Sequence, residues 1–121
     1  ISNDFIAHFV AIPTEKDGKP YFDILSDTLK KICEYKKIIT DLPQIIIIES
    51  TLTPNTTEKI IIPLLKKEQM TVGKDILLSI APRRDWFVEG NKSLIELDRV
   101  YGATNEKTSK ICKQILWHIS F

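Results

Sequence analysis

Four isoleucines in succession stand at residues 45–48, inside the run QIIIIES at residues 44–50. β-Branched side chains are stiff about χ1 and fit a pleated surface, so this run reads as a strand. Successive strand side chains point to opposite faces, so apolar residues at every position require cover on both. That is the setting of a parallel sheet with helices on each side. Two further runs repeat the pattern. Residues 5–12 (FIAHFVAI) stop at Pro13 and residues 75–81 (DILLSIA) stop at Pro82; both are expected to be buried strands. Residues 97–101 are expected to form a fourth, short strand ending at Gly102.

Helical spacing fills the intervals. Leu25, Leu29, Ile32 and Cys33 share one face, with Lys30, Lys31, Glu34 and Lys37 opposite. A second helix is expected to begin with Thr56 or Thr57 as N-cap, with Glu58 in its first turn and Ile60, Ile61, Leu64 and Leu65 inward. Pro63 lies within that pattern and is expected to kink it or shorten its regular part. A third helix, capped by Thr104, would turn Ile111, Cys112, Ile115, Leu116 and Ile119 inward. Strands alternating with amphipathic helices predict one α/β domain with a mostly parallel sheet.

The charge balance, 17 basic against 16 acidic residues in a chain of 121, gives no reason to expect nucleic acid or an anionic membrane as partner. No apolar run approaches the roughly 18 residues of a membrane span, and no signal-peptide layout opens the chain. Cys33 and Cys112 fall within apolar periodic segments and are expected to be buried, reduced thiols of a cytoplasmic protein. Neither His8 nor His118 has a carboxylate or cysteine at metal-ligand spacing, so no metal site is expected. Both ends look cut: the chain enters a strand almost at once after Ile1 and stops at Phe121 within a helical pattern.

In open parallel sheets ligands bind beyond the carboxyl ends of the strands. That rule selects Pro13–Thr14, the stretch 50–57, and the stretch 82–84. The second also faces a helix N-terminus, which favours anionic groups. Hydroxyls at Ser50, Thr51, Thr53, Thr56 and Thr57 either bind a ligand there or only cap and turn the chain. Arg83 and Arg84 either grip a diphosphate bidentately, with Trp86 stacking on a base, or belong to a solvated loop.

These residues resemble the UDP-glucose/GDP-mannose dehydrogenase family. IIIIESTLTPNTTEKIIIPLLKK is similar to its strand-to-helix junction, in which an apolar strand ends in Ser-Thr and is followed by proline, a small residue and Thr-Thr. FIAHFVAIPT resembles an earlier strand ending in Pro-Thr, DILLSIAPRRDWFVEG a strand ending in Ser-Pro-Glu, and LDRVYGATNEKTSKICKQIL the strand and helix after it. The order is the family's and covers nearly the whole chain. The resemblance implies a Rossmann-type α/β fold, NAD as cofactor, and oxidation of the 6-hydroxyl of a nucleotide-linked sugar to a carboxylate by two hydride transfers. It also implies a homodimer for the full-length protein. By the same resemblance Pro13, Thr14, Ser50 and Thr51 line the NAD site. Thr51 is the expected catalytic residue, holding a water. Glu89, which resembles a family glutamate, and Arg83 and Arg84, by their own chemistry beyond a strand end, are the expected substrate contacts.

The chain departs from that pattern in places. Arg83 stands where the family has a glutamate, Glu89-Gly90 falls two residues later than the family's Glu-Gly, and Asn55 replaces a usual glycine. No Gly-x-Gly-x-x-Gly occurs, and neither cysteine matches the family's catalytic one. Residues 1–121 are therefore read as a single, partial NAD-binding domain whose first strand-turn-helix is missing, inactive alone. The alternative is a non-catalytic nucleotide-sugar-binding or oligomerisation module of the same descent. An unrelated flavodoxin-like domain is a third reading, for which no phosphate loop is visible.

Overall fold

The computed structural model describes residues 4–83 and 99–119. Strand β1 (Ile6–Val10) leads into a small hairpin, β2 (Glu15–Lys16) and β3 (Lys19–Pro20). Helix α1 (Asp23–Ile38), strand β4 (Gln44–Ile48), a π-helical turn (Thr57–Ile61) continuing into α2 (Ile62–Lys67), and strand β5 (Leu77–Ile80) follow. The described chain ends with β6 (Gly102–Ala103) and α3 (Glu106–Ile119). The main sheet has the order β1-β4-β5-β6. β1, β4 and β5 run parallel, and β6 pairs antiparallel with β5. This is the mostly parallel arrangement that the strand and helix alternation predicts, and it is Rossmann-like, as the resemblance implies.

β4 is the axis of the core. Ile45 to Ile48 are each 0% exposed, and alternate side chains feed separate clusters on the two faces. Ile46 and Ile48 meet Leu25, Leu29, Ile32 and Cys33 of α1 and Leu65 of α2. Ile45 and Ile47 meet Leu77, with Cys112 and Leu116 of α3. The inward sets expected for α1 and α3 therefore fit; the side chain of Ile119 lies outside the described residues.

β1 departs from expectation. It was expected to be fully buried, yet Phe5 and Phe9 are 37% and 41% exposed. Among the described residues β1 pairs on one side only, with β4, and on Phe9's face it is Ala7 that packs against the α3 cluster. The fourth strand also sits later than expected. Residues 97 and 98 lie outside the described residues, residues 99–101 are not in a strand, and the pairing falls on Gly102 and Ala103.

Local chemistry accounts for the connections. In the β2–β3 hairpin, Asp17 and Gly18 have φ of 54° and 74°, the two positive values that a two-residue type I′ turn requires. Asn55 takes φ 68°, so the left-handed conformation glycine would supply is retained. Pro63 leaves its mark one turn earlier. Its nitrogen cannot donate to the carbonyl of residue 59, and the preceding turn widens, with Ile62 N–H bonded to Thr57 O. Neither Thr56 nor Thr104 caps a helix as expected. Thr56 is itself helical, with no side-chain cap bond. At α3 the cap is Asn105, whose Oδ1 accepts the Thr108 N–H at 2.8 Å.

Truncating Ile47 to Ala is expected to destabilise the protein by about 2–5 kcal/mol, because the cavity opens where no solvent can enter. Ile38→Ser, at a site 78% exposed, is expected to stay within about 0.5 kcal/mol. Urea unfolding of the two variants checks both values.

Candidate functional site

The three parallel strands end in register, with Val10 opposite Ile48 and Ile48 opposite Ile80. Backbone pairing runs on a little past the strands. Glu49 N–H donates to Val10 O (2.8 Å), Ala81 N–H to Ile48 O (2.8 Å), and Arg83 N–H to Glu49 O (3.1 Å). The chain then splays, and a cleft of about 590 Å³ opens between residues 11–15, Glu49 to Thr51, and Arg83. This is the position that the strand-end rule selects.

The expected hydroxyls take different parts. Ser50 Oγ accepts the Ile12 N–H at 2.8 Å and donates to Ile12 O at 2.8 Å, so it stitches the end of β1 to the end of β4. Thr14 Oγ1 donates to Thr51 O at 2.6 Å, a second stitch across the same opening. Thr51 is exposed at the cleft wall, and its hydroxyl makes no hydrogen bond among the described residues. Pro13 lies with Ile12 on the facing wall. Thr53 and Thr56 serve the turn instead. Thr56 Oγ1 donates to Thr53 O at 2.7 Å, and Thr53 Oγ1 donates to Thr56 Oγ1 at 2.8 Å. They and Thr57 do not line the cleft.

Arg83 reaches the cleft, and two charged residues that the motifs did not single out accompany it. Glu49, its side chain 10% exposed, has Oε2 3.5 Å from Arg83 Nη1 and 3.5 Å from Arg99 Nη2. Arg99 also donates to Ala81 O at 3.0 Å. Both guanidiniums thus share one carboxylate at the end of β4. The signal for Glu49 was present in the sequence. A charged residue directly after five buried strand positions cannot reach bulk water easily, and so requires a partner. Arg84 and Glu89 lie outside the described residues.

Cys33 and Cys112 are both buried and unpaired with each other. Burial pushes both thiols up from the ordinary range, with Glu68 adding to the effect at Cys33. At Cys112 the Ser79 hydrogen bond (3.0 Å) and Arg99 work the other way, and burial wins. Thiolate chemistry is disfavoured at either position. Among the described residues no group of three or more His, Cys, Asp or Glu could hold a metal ion, and no helix is long and apolar enough to cross a membrane. A larger groove, about 920 Å³, runs along α3 past Phe5. Its charged side chains are solvated, Lys110 and Glu106 being 75% and 84% exposed, and it lacks the strand-end groups of the smaller cleft.

Residues 2–120 match the family model of the UDP-glucose/GDP-mannose dehydrogenase family, NAD binding domain. A UDP-N-acetyl-D-mannosamine dehydrogenase of Methanococcus aeolicus is 34% identical over 114 residues, covering 89% of this chain and 24% of the relative. The enzyme of that name from Methanocaldococcus jannaschii is 34% identical over 109 residues, covering 88% and 24%. The chain thus spans about a quarter of the length of the curated relatives it matches. Among solved structures, an NDP-N-acetyl-D-galactosaminuronic acid dehydrogenase from Methanosarcina mazei superposes with a TM-score of 0.68 at 32% identity, covering 88% of this chain and 22% of that one. A ternary complex of GDP-mannose dehydrogenase from Pseudomonas aeruginosa gives 0.74 at 18% identity, covering 93% and 27%, a likeness of fold.

Ser50→Ala removes both stitches to Ile12 and is expected to cost about 1–3 kcal/mol, read from the denaturation midpoint. Both thiols are expected to resist a disulfide reagent in the native protein and to react fully once it is unfolded. Rapid native labelling of either would contradict the burial described.

Proposed function

We propose, because the chain belongs to the UDP-glucose/GDP-mannose dehydrogenase family, that its strand-end cleft is the nicotinamide end of an NAD site in a nucleotide-sugar dehydrogenase. The observation that carries this reading is the cleft itself. It lies at the carboxyl ends of parallel strands, with an apolar wall at Ile12 and Pro13 and the uncommitted hydroxyl of Thr51 opposite. Such a wall suits a flat ring, and the hydroxyl suits a polar neighbour of the reacting carbon. The cofactor supplies a hydride acceptor when bound.

In this reading Thr51 holds the water used in catalysis within hydrogen-bond reach. Ser50 and Thr14 spend their hydroxyls on Ile12 and Thr51, and so fix the two walls. Arg83, and beyond the described residues Arg84 and Glu89, contact the nucleotide-linked sugar. A glycine-rich phosphate loop and a catalytic cysteine have no counterpart among residues 1–121, so the 121-residue chain alone is proposed to be inactive, as part of a domain. UDP-N-acetyl-D-mannosamine is the first substrate to test, ahead of UDP-glucose, since it is the sugar nucleotide in the names of the relatives. We assign the full-length protein a homodimeric state and a cytoplasmic setting, the latter suited to two buried, unpaired thiols. The second reading, a non-catalytic nucleotide-sugar-binding or oligomerisation module, is favoured by one observation, the arginine at position 83.

The test is NADH formation from NAD and UDP-N-acetyl-D-mannosamine by the protein that carries this chain. Thr51→Ala is expected to lower kcat by about 10²-fold, as for loss of a positioned proton-handling group, with the KM for NAD little changed. Thr51→Ser is expected to restore most of it. Sugar-nucleotide binding with no NADH from any nucleotide sugar would favour the module.

A further inference from the structure

We infer that the β2–β3 hairpin is a brace for Thr51, acting through Thr14 as a positioning residue. The inference rests on the dehydrogenase reading for what Thr51 does, not for how it is held. Among the described residues Thr51 makes a single hydrogen bond, at its carbonyl, from Thr14 Oγ1 at 2.6 Å. It stands past the last backbone pairing of β4, which ends at Glu49. Ser50, just before it, is tied to Ile12. One tie before the residue and one on its carbonyl limit both of its backbone dihedrals, and so aim its Cα–Cβ bond. Without the second tie the hydroxyl keeps its chemistry but loses its direction.

The hairpin supplies that second tie. The bond from Thr14 to Thr51 is solvent-exposed, so water competes for both groups. What favours it is that Thr14 is already fixed when the bond forms. The carbonyl of Thr14 accepts the Tyr21 N–H at 2.8 Å, and the pairs Glu15 with Pro20 and Lys16 with Lys19 close the hairpin beyond it. Asp17 and Gly18 turn the chain with positive φ, and Lys16 Nζ lies 5.2 Å from the centre of the Tyr21 ring. Strands of two residues are too short to be stable for their own sake. Their effect is to bring Tyr21 back to Thr14. Having donated to Thr51, the Thr14 hydroxyl has no proton left for a cofactor oxygen. Thr14 therefore lines the cleft yet acts through Thr51.

The experiment is run in the protein that carries this chain, with NADH formation as the readout. Thr14→Val keeps the shape of the side chain and removes the hydroxyl. It is expected to lower kcat about tenfold, the scale of one hydrogen bond, with the KM for NAD within about twofold. Thr14→Ser is expected to restore most of the rate, and Thr14→Val on a Thr51→Ala background to cost nothing further. Gly18→Val reaches the same residue from a distance. A Cβ there meets nothing within 4 Å, so the strain comes only from a β-branched residue at φ 74°. It is expected to lower kcat as Thr14→Val does, and Gly18→Asn, which tolerates that conformation, to stay near wild type. A raised KM for NAD at unchanged kcat in Thr14→Val would make Thr14 a direct cofactor contact and overturn the inference. So would a kcat within about twofold of wild type in either valine variant, or a Thr14→Val loss that persists in full without the Thr51 hydroxyl. If the wild type forms no NADH, the dehydrogenase reading fails separately. The brace is then judged by the NMR order parameter of the Leu52 N–H, which shares a peptide plane with the Thr51 carbonyl. Thr14→Val is expected to lower it from about 0.85 towards about 0.6, and Thr14→Ser to leave it near the higher value. An unchanged order parameter in Thr14→Val overturns the brace.

Discussion

Burial of β4 on both faces is the constraint on which the rest of the structure depends. Five consecutive positions, Gln44 to Ile48, are closed to solvent. Each isoleucine face demands its own cover, so α1 and α2 must lie on one side and α3 on the other. The backbone must be paired on both edges, because an unpaired N–H or C=O in such a place would cost as much as a lost hydrogen bond. β1 and β5 supply that pairing. Even Gln44, 1% exposed, is fully engaged: its Oε1 meets His8 Nε2 and its Nε2 donates to Ile39 O.

The same constraint makes the cleft. Three parallel strands in register must release their chains at the same end, and the release point is where backbone pairing fails. The residues there divide the work by chemistry. Small hydroxyls on Ser50 and Thr14 replace the missing backbone bonds and hold the opening to a set width. Thr51, one residue after a serine that is spent, keeps its hydroxyl for the cleft. Glu49, Arg83 and Arg99 join the ends of β4 and β5 to the approach to β6.

Most of the fold was legible because it follows from local rules. Apolar runs marked β1, β4 and β5, helical spacing marked the inward faces, and Pro63 marked the widened turn. The misreadings share a cause. β1 reads as buried because its composition is that of a central strand, whereas burial depends on what lies beside and above it. Thr104 and Asn105 are both good caps by composition, and the choice falls to Asn105 because Thr104 is drawn to the carbonyl of Leu78. The cleft residues Pro13, Thr14, Ser50 and Thr51 were legible by position and by resemblance, but not their division into stitches and a free hydroxyl.

The sequence by itself determined the three parallel strands, the helices, the open parallel layout and the end of the sheet at which the cleft opens. These depend on side-chain shape, hydropathy period and the backbone limits of proline and asparagine, all of which act over a few residues. Only the tertiary structure decided which hydroxyl stays available, and that a carboxylate on one strand end meets two arginines from elsewhere in the chain. Those outcomes rest on distances between residues such as Ser50 and Ile12, or Glu49 and Arg99, which local order does not specify. A charge after a buried run announces that a partner is needed; the packing of the sheet selects which one.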